Sequence, residues 1–246
     1  GVSLASDQGW ESPSVIVTLV AAFILLAWYI KRQLASAEPI LNFHIFKNRQ
    51  YTTGAVLVMM DFGIILSSMY LLPMFWQNGL AIPVALTGIV MLPGGIVNAL
   101  VSAIAGRYSD IVSKRLLTVT GFAITIVGIV MLLFAQATSP MWYVILAHIV
   151  MMMGVPLAMS PAQTYGLSAL DQRTSSDGST IMNTFQQIVG AIATAIATAL
   201  LGVGQQVSSA SHQVAFTSGV HLGLVFTLIL AIAALCLAFT VKEKRA

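Results

Sequence analysis

The residues LLTVTGFAITIVGIVMLLFA, 116–135, form an uncharged apolar run of twenty, and runs of this kind recur along the whole chain. A bilayer core of ~30 Å is crossed by about 20 mostly apolar helical residues. Scanning on that rule predicts seven spans, at 14–30, 51–76, 83–105, 116–135, 141–163, 181–203 and 219–241. Turn-forming residues fall between them: Asn78-Gly79 with Pro83, Ser139-Pro140, and the polar run DQRTSSDGS at 171–179. Apolar residues make up 58% of the chain and charged residues 8%, far below the roughly 25% charged of a soluble domain. The excess needs an apolar solvent, so the fold class is an all-α polytopic membrane protein with the lipid bilayer as its partner. The lone Cys236 excludes an internal disulfide.

The cations give the spans a direction. All eleven Lys and Arg fall in alternate connections: Lys31, Arg32, Lys47 and Arg49, then Arg107, Lys114 and Arg115, then Arg173, then Lys242, Lys244 and Arg245. Positive loops stay in the cytoplasm, which places the start of this chain outside, its end inside, and the whole in a cell membrane. These clusters also explain the net charge of +3 without a nucleic-acid partner. The resulting organisation is an extracytoplasmic loop 1–13, a linker helix 14–30, a cytoplasmic loop 31–50, a six-helix unit 51–241 and a cytoplasmic tail 242–246. GVSLASDQGWESPS reads as an outer loop entered from an earlier helix, so the chain is expected to be the C-terminal part of a longer protein.

Between the third and fourth spans lies GRYSDIVSKR, 106–115. Gly106 can end a helix in a left-handed conformation. Asp110 can accept backbone N–H groups at a helix start or pair with Arg107. Two readings stand: a charged clasp that biases a moving bundle, or residues that only fix topology.

The loop resembles the G-x-x-x-D-(R/K)-x-G-(R/K)-(R/K) signature of the major facilitator superfamily, with Gly106, Asp110, Lys114 and Arg115 in place. Ile111 and Ser113 depart from it. The segments GWESPSVIV, EPILNFHIFKNRQY, MLPGGIVNAL and SALDQRTSSDGSTIMNTFQQIVGAIATAIATAL resemble the branch of fourteen-span drug:proton antiporters. That resemblance implies six of the seven helices forming one half of a major facilitator fold. It further implies a missing N-terminal half, alternating access, amphipathic drug-like substrates, exchange for protons, and no cofactor or metal. Gly106, Arg107, Asp110, Lys114 and Arg115 would then form a cytoplasmic gating loop. An importer of a small nutrient on the same fold and a seven-span receptor are the competing readings.

Asp61 sits ten residues into the second span, about 15 Å along the helix axis, near the bilayer midplane. Placing Asp there costs roughly 2.5 to 3.5 kcal/mol, and no Lys or Arg lies at that depth. A carboxyl in such a place can gain and lose a proton as water access changes, or it can serve as a neutral hydrogen-bonding group or pair with a cation in the other half. Gly54, Asp61 and Ser68 are spaced by seven and share a face. His148, among Ile, Val and Met in the fifth span, is a second proton-coupling candidate or a packing residue. Asn98, Asn183, Gln186 and Gln187 are candidates to line a cavity. Gly190, Thr194, Thr198 and Gly202, with Ala191, Ala195 and Ala199, mark a small-residue face for close helix contact. No phosphate loop, dinucleotide fingerprint or zinc spacing is present, and residues 219–241 hold no Lys for a retinal Schiff base.

Overall fold

The computed structural model describes residues 12–35, 43–109, 111–207 and 211–242. Among the described residues seven long helices follow one another: α1 Pro13–Ala35, α2 Arg49–Met74, α3 Val84–Tyr108, α4 Lys114–Leu133, α5 Met141–Leu167, α6 Gln172–Val207 and α7 His212–Ala238. A short 3₁₀ helix, Phe43–Lys47, precedes α2. Six of them, α2 with its continuation to Gly79 and α3 to α7, are long and apolar enough to cross a membrane. The apolar part of α1, Pro13–Tyr29, is shorter. Exposed Ile16, Val17, Val20, Phe23, Ile24 and Leu25 leave α1 apolar over most of its girth, as a helix in lipid would be. The Arg32 guanidinium lies 5.7 Å from the centre of the Trp28 ring, a pairing suited to the membrane boundary.

Glycines let the helix backbones touch. In the α4–α5 seam, a Cβ on Gly121 would fall on the backbone of Leu157 and Ala158, one on Gly128 on Met151, and one on Gly154 on Thr125. Gly190 of α6 meets Phe62 and Leu66 of α2, and Gly204 of α6 meets Gly219 of α7. Close backbone approach is how apolar helices gain attraction when the solvent is itself apolar. The expected small-residue face of α6 is therefore correct at Gly190 and Ala195 but not along its whole length. Ala193, Ala195 and Ala197 are buried, whereas Ala191 is exposed and Gly202 has open space beside it.

Helix ends differ from the expected ones where polar residues continue a helix beyond the bilayer. The run DQRTSSDGS is not a turn, because α6 begins at Gln172. Its inner side is tied down by Tyr51, whose hydroxyl donates to the Gly178 carbonyl at 2.7 Å; Ser176 is exposed, and Thr174, Ser175 and Ser179 are half-buried. Nor does Gly106 end α3 in a left-handed conformation. The helix runs on to Tyr108, and the Ser109 hydroxyl donates to the Gly106 carbonyl at 2.8 Å. Ser113, at the position of the signature's second glycine, caps α4 by accepting the Leu116 N–H at 3.0 Å.

Helix α2 widens into a π-helical turn, Phe75–Gly79, after Pro73. The Leu80 N–H returns to the Phe75 carbonyl at 3.0 Å and that of Ile82 to the Trp76 carbonyl at 2.8 Å. Ala81 between them has φ 55°, a value usually left to glycine. Helix α5 solves its own proline problem through a neighbour. Pro156 has no N–H to offer the Met152 carbonyl four residues earlier, and the Asn98 amide of α3 donates to that carbonyl at 3.3 Å instead. Replacing Asn98 by Leu should therefore lower the unfolding free energy of the chain in detergent by about 1 kcal/mol. Unchanged thermal unfolding would contradict this assignment.

Candidate functional site

One end of the bundle gathers the described cations, since α2, α4 and α6 start there and α3, α5 and α7 finish there. Side-chain to backbone bonds tie these termini together. The Asn48 amide donates to the Ala169 carbonyl at 3.0 Å, and that of Gln50 to the Tyr165 carbonyl at 2.9 Å. The Lys242 N–H donates to the Tyr165 hydroxyl at 3.1 Å. Tyr165 thus joins α2, α5 and the end of α7. Sequence reading missed it, because a tyrosine at the end of an apolar run looks like an interfacial anchor.

From this closed end α2 runs inward carrying Gly54, Asp61 and Ser68 on one face. At Gly54 the helix is pressed onto α5: a Cβ there would lie 2.6 Å from the Gly166 Cα and 2.7 Å from the Ala162 carbonyl oxygen. Two turns further on, Asp61 is fully buried, and neither carboxyl oxygen has a hydrogen-bond partner. Ser68 is equally buried, with its hydroxyl unpaired. Among the described residues no salt bridge reaches Asp61. An ionised carboxylate requires donors, a countercharge or water, and the packed seam supplies neither of the first two. The heptad spacing put these residues on a face; which helix covers that face was not readable from periodicity.

His148 belongs to a different cluster. Its ring lies in the space left by the missing side chain of Gly94 in α3 and meets the Trp76 ring edge to face at 5.6 Å between centres. His148 is buried, and its Nδ1 and the Trp76 Nε1 both lack partners. Trp76 lies fifteen residues beyond Asp61, about 20 Å along α2 at about 1.5 Å per residue. The two titratable candidates are therefore not in contact. His221, which sequence analysis did not single out, joins α7 to the end of α4 through Nε2 and the Ala135 carbonyl at 2.7 Å.

The other candidates separate by exposure. Asn98 is engaged with Met152. Gln186 is buried with its Oε1 unpaired. Asn183 and Gln187 are exposed, and with Thr184 between them they give α6 a polar outer face in the first turns of its predicted span, 181–203. Polar groups inside a span turn to water or protein rather than to lipid. In the signature loop Gly106 and Arg107 are exposed, Lys114 is half-buried, and Arg115 places its guanidinium 6.0 Å from the centre of the Phe239 ring. Asp110, the acidic member of the expected clasp, lies outside the described residues. Among those described, no cluster of His, Cys, Asp or Glu could hold a metal ion.

Known proteins are similar to this chain in sequence. A model of the Major Facilitator Superfamily matches residues 1–194. The lincomycin resistance protein LmrB of Listeria monocytogenes serovar 1/2a is 37% identical over 251 residues, covering 98% of this chain and 53% of its own length. Its Bacillus subtilis counterpart is 37% identical over 244 residues, covering 96% and 51%. The fatty acid resistance protein FarB of Neisseria gonorrhoeae is 29% identical over a shorter stretch, 47% of this chain and 23% of its own. The chain spans about half the length of the curated relatives it matches most extensively. On the family model, the identity to these relatives and the helical membrane architecture, the chain belongs to the Major Facilitator Superfamily.

Proposed function

We propose that this chain is the C-terminal part of an exporter that moves amphipathic antibiotics of the lincomycin kind out of the cell in exchange for protons. The observation that carries the reading is 37% identity, across nearly the whole chain, to proteins named for lincomycin resistance. In this reading α1 is a linker and residues 51–241 are one six-helix half. A second half of similar size, which the relatives' length accommodates, completes the central cavity. The basic end faces the cytoplasm, in keeping with the distribution of Lys and Arg.

The exposed Asn183, Thr184 and Gln187 give the cavity its polar wall on α6. Asp61 is the proton carrier: sealed without partners in the conformation described, it exchanges its proton when the helices packed around it part and water enters. Ser68, on the same face and equally unpaired, can then share that water. His148 is a packing residue in this scheme, since Gly94 and Trp76 enclose its ring far from Asp61. The gating role of the 106–115 loop rests on Asp110 together with the exposed Arg107 and Arg115.

The test uses the complete transporter in a drug-sensitive bacterium. Expression should lower cellular lincomycin, and a protonophore should restore it to the level of cells without the transporter. Lincomycin extrusion that persists after the proton gradient is collapsed would refute proton exchange. No extrusion of lincomycin or of any other amphipathic antibiotic would refute the exporter reading itself.

A further inference from the structure

We propose that the groove between the start of α2 and the end of α7 binds one anionic phospholipid, with its phosphate on Lys47 and Arg49 and its acyl chain against Val56 and Leu237. The groove has a volume of about 340 Å³ and opens to the surface. That is enough for the phosphoglycerol part of a lipid, being within the usual range for small-molecule sites of about 300 to 1,000 Å³. Its mouth carries the two cations, both exposed. Its floor is Phe46, Val56 and Leu237, all half-buried. Cations above an apolar wall match a lipid, whose charge and hydrocarbon are joined end to end, better than they match a free ion.

Three features fix the sign and the source of the ligand. First, the threonine hydroxyls in the wall have spent their protons on the backbone: Thr52 donates to the Phe46 carbonyl at 2.7 Å and Thr53 to that of Arg49 at 2.9 Å. The donors left for a ligand are the two cations, at the positive end of the α2 dipole. Second, among the described residues no carboxylate lines the groove, so an anion meets no repulsion there. Third, the apolar floor continues outward. Val225, Ile229 and Ile232 form an exposed stripe along α7, and Leu237 stands about a third of a turn round the helix from it, so a chain leaving the groove has an apolar surface within reach. Lys47 and Arg49 stand where α2 enters its apolar span, the depth at which lipid phosphates lie.

The full 246-residue chain, purified in mild detergent, would be titrated with dioleoyl phosphatidylglycerol, dioleoyl phosphatidylcholine and soluble glycerol 3-phosphate, and bound lipid counted by native mass spectrometry. One phosphatidylglycerol should be retained in preference to phosphatidylcholine, and glycerol 3-phosphate should not displace it. Each cation near a lipid surface contributes about fivefold in affinity. The double variant Lys47→Gln with Arg49→Gln should therefore bind about thirtyfold more weakly, and Lys47→Glu should weaken binding through repulsion. The pair Lys114→Gln with Arg115→Gln, on the other basic loop, should leave retention unchanged. Equal retention of the two lipids would overturn the proposal. Displacement by glycerol 3-phosphate would mean a free-anion site instead. An equal loss in the 114/115 variant would mean diffuse attraction to the basic end. Circular dichroism at wild-type helicity keeps the variants comparable.

Discussion

The complete transporter with Asp61→Asn should keep its fold and its drug binding but lose the ability to build a drug gradient from a proton gradient. The structural half of this expectation follows from the absence of any hydrogen bond to either carboxyl oxygen. Asn has nearly the same shape as Asp, so no contact is broken. Had the carboxyl been a structural acceptor, its loss would cost about 1 to 3 kcal/mol. The functional half follows from energetics. One charge moved across 100 mV is worth about 2.3 kcal/mol, or about fiftyfold in the concentration ratio a coupled exporter can sustain. A variant that carries no proton forfeits that factor. The check is drug accumulation in inverted vesicles with an imposed gradient, beside thermal unfolding in detergent. Wild-type accumulation by the variant would remove Asp61 from the mechanism, and strong destabilisation would make it a structural residue.

Gly128→Leu should unfold the α4–α5 pair. The added Cβ would fall on the backbone of Met151, so no rotamer change can make room and the two helices must separate. Overpacking an ordinary core costs about 1 to 3 kcal/mol, and a helix-to-helix backbone collision belongs at or above the top of that range. Gly95→Leu in the same 246-residue chain is the control. A Cβ there meets nothing within 4 Å, and Leu has the better helix propensity by about 0.8 kcal/mol. Thermal unfolding of the chain in detergent should fall sharply for the first and hold or rise for the second. Equal behaviour of the two would mean that the seam is not where the helices are held.

Much of the fold was legible because bilayer thickness fixes span length and the cations mark alternate connections. All seven helices among the described residues overlap the spans that apolar runs predicted. The ends were less legible, since a polar stretch such as 171–179 reads as a loop whether or not it is helical. Burial of Gly178 under Tyr51 decides that, and burial is a tertiary fact. Gly106 misled for a related reason, because glycine permits a left-handed stop without requiring one. Asp61 was visible as a lone charge at depth. Its complete burial was not, because a heptad identifies a face and not what covers it. The link between Pro156 and Asn98 was hidden likewise, although the orphaned Met152 carbonyl could have been inferred from the proline. For His148 the available signal was Pro93-Gly94-Gly95, a gap on α3 wide enough to receive a ring.

Proton release on drug binding tests the central claim most directly. Purified complete transporter, lightly buffered near neutral pH, would be mixed with lincomycin and the pH followed with a dye. Wild type should release protons in proportion to the drug bound, and Asp61→Asn should bind drug and release none. Equal release from both proteins would contradict the account, because the exchanging proton would then sit elsewhere.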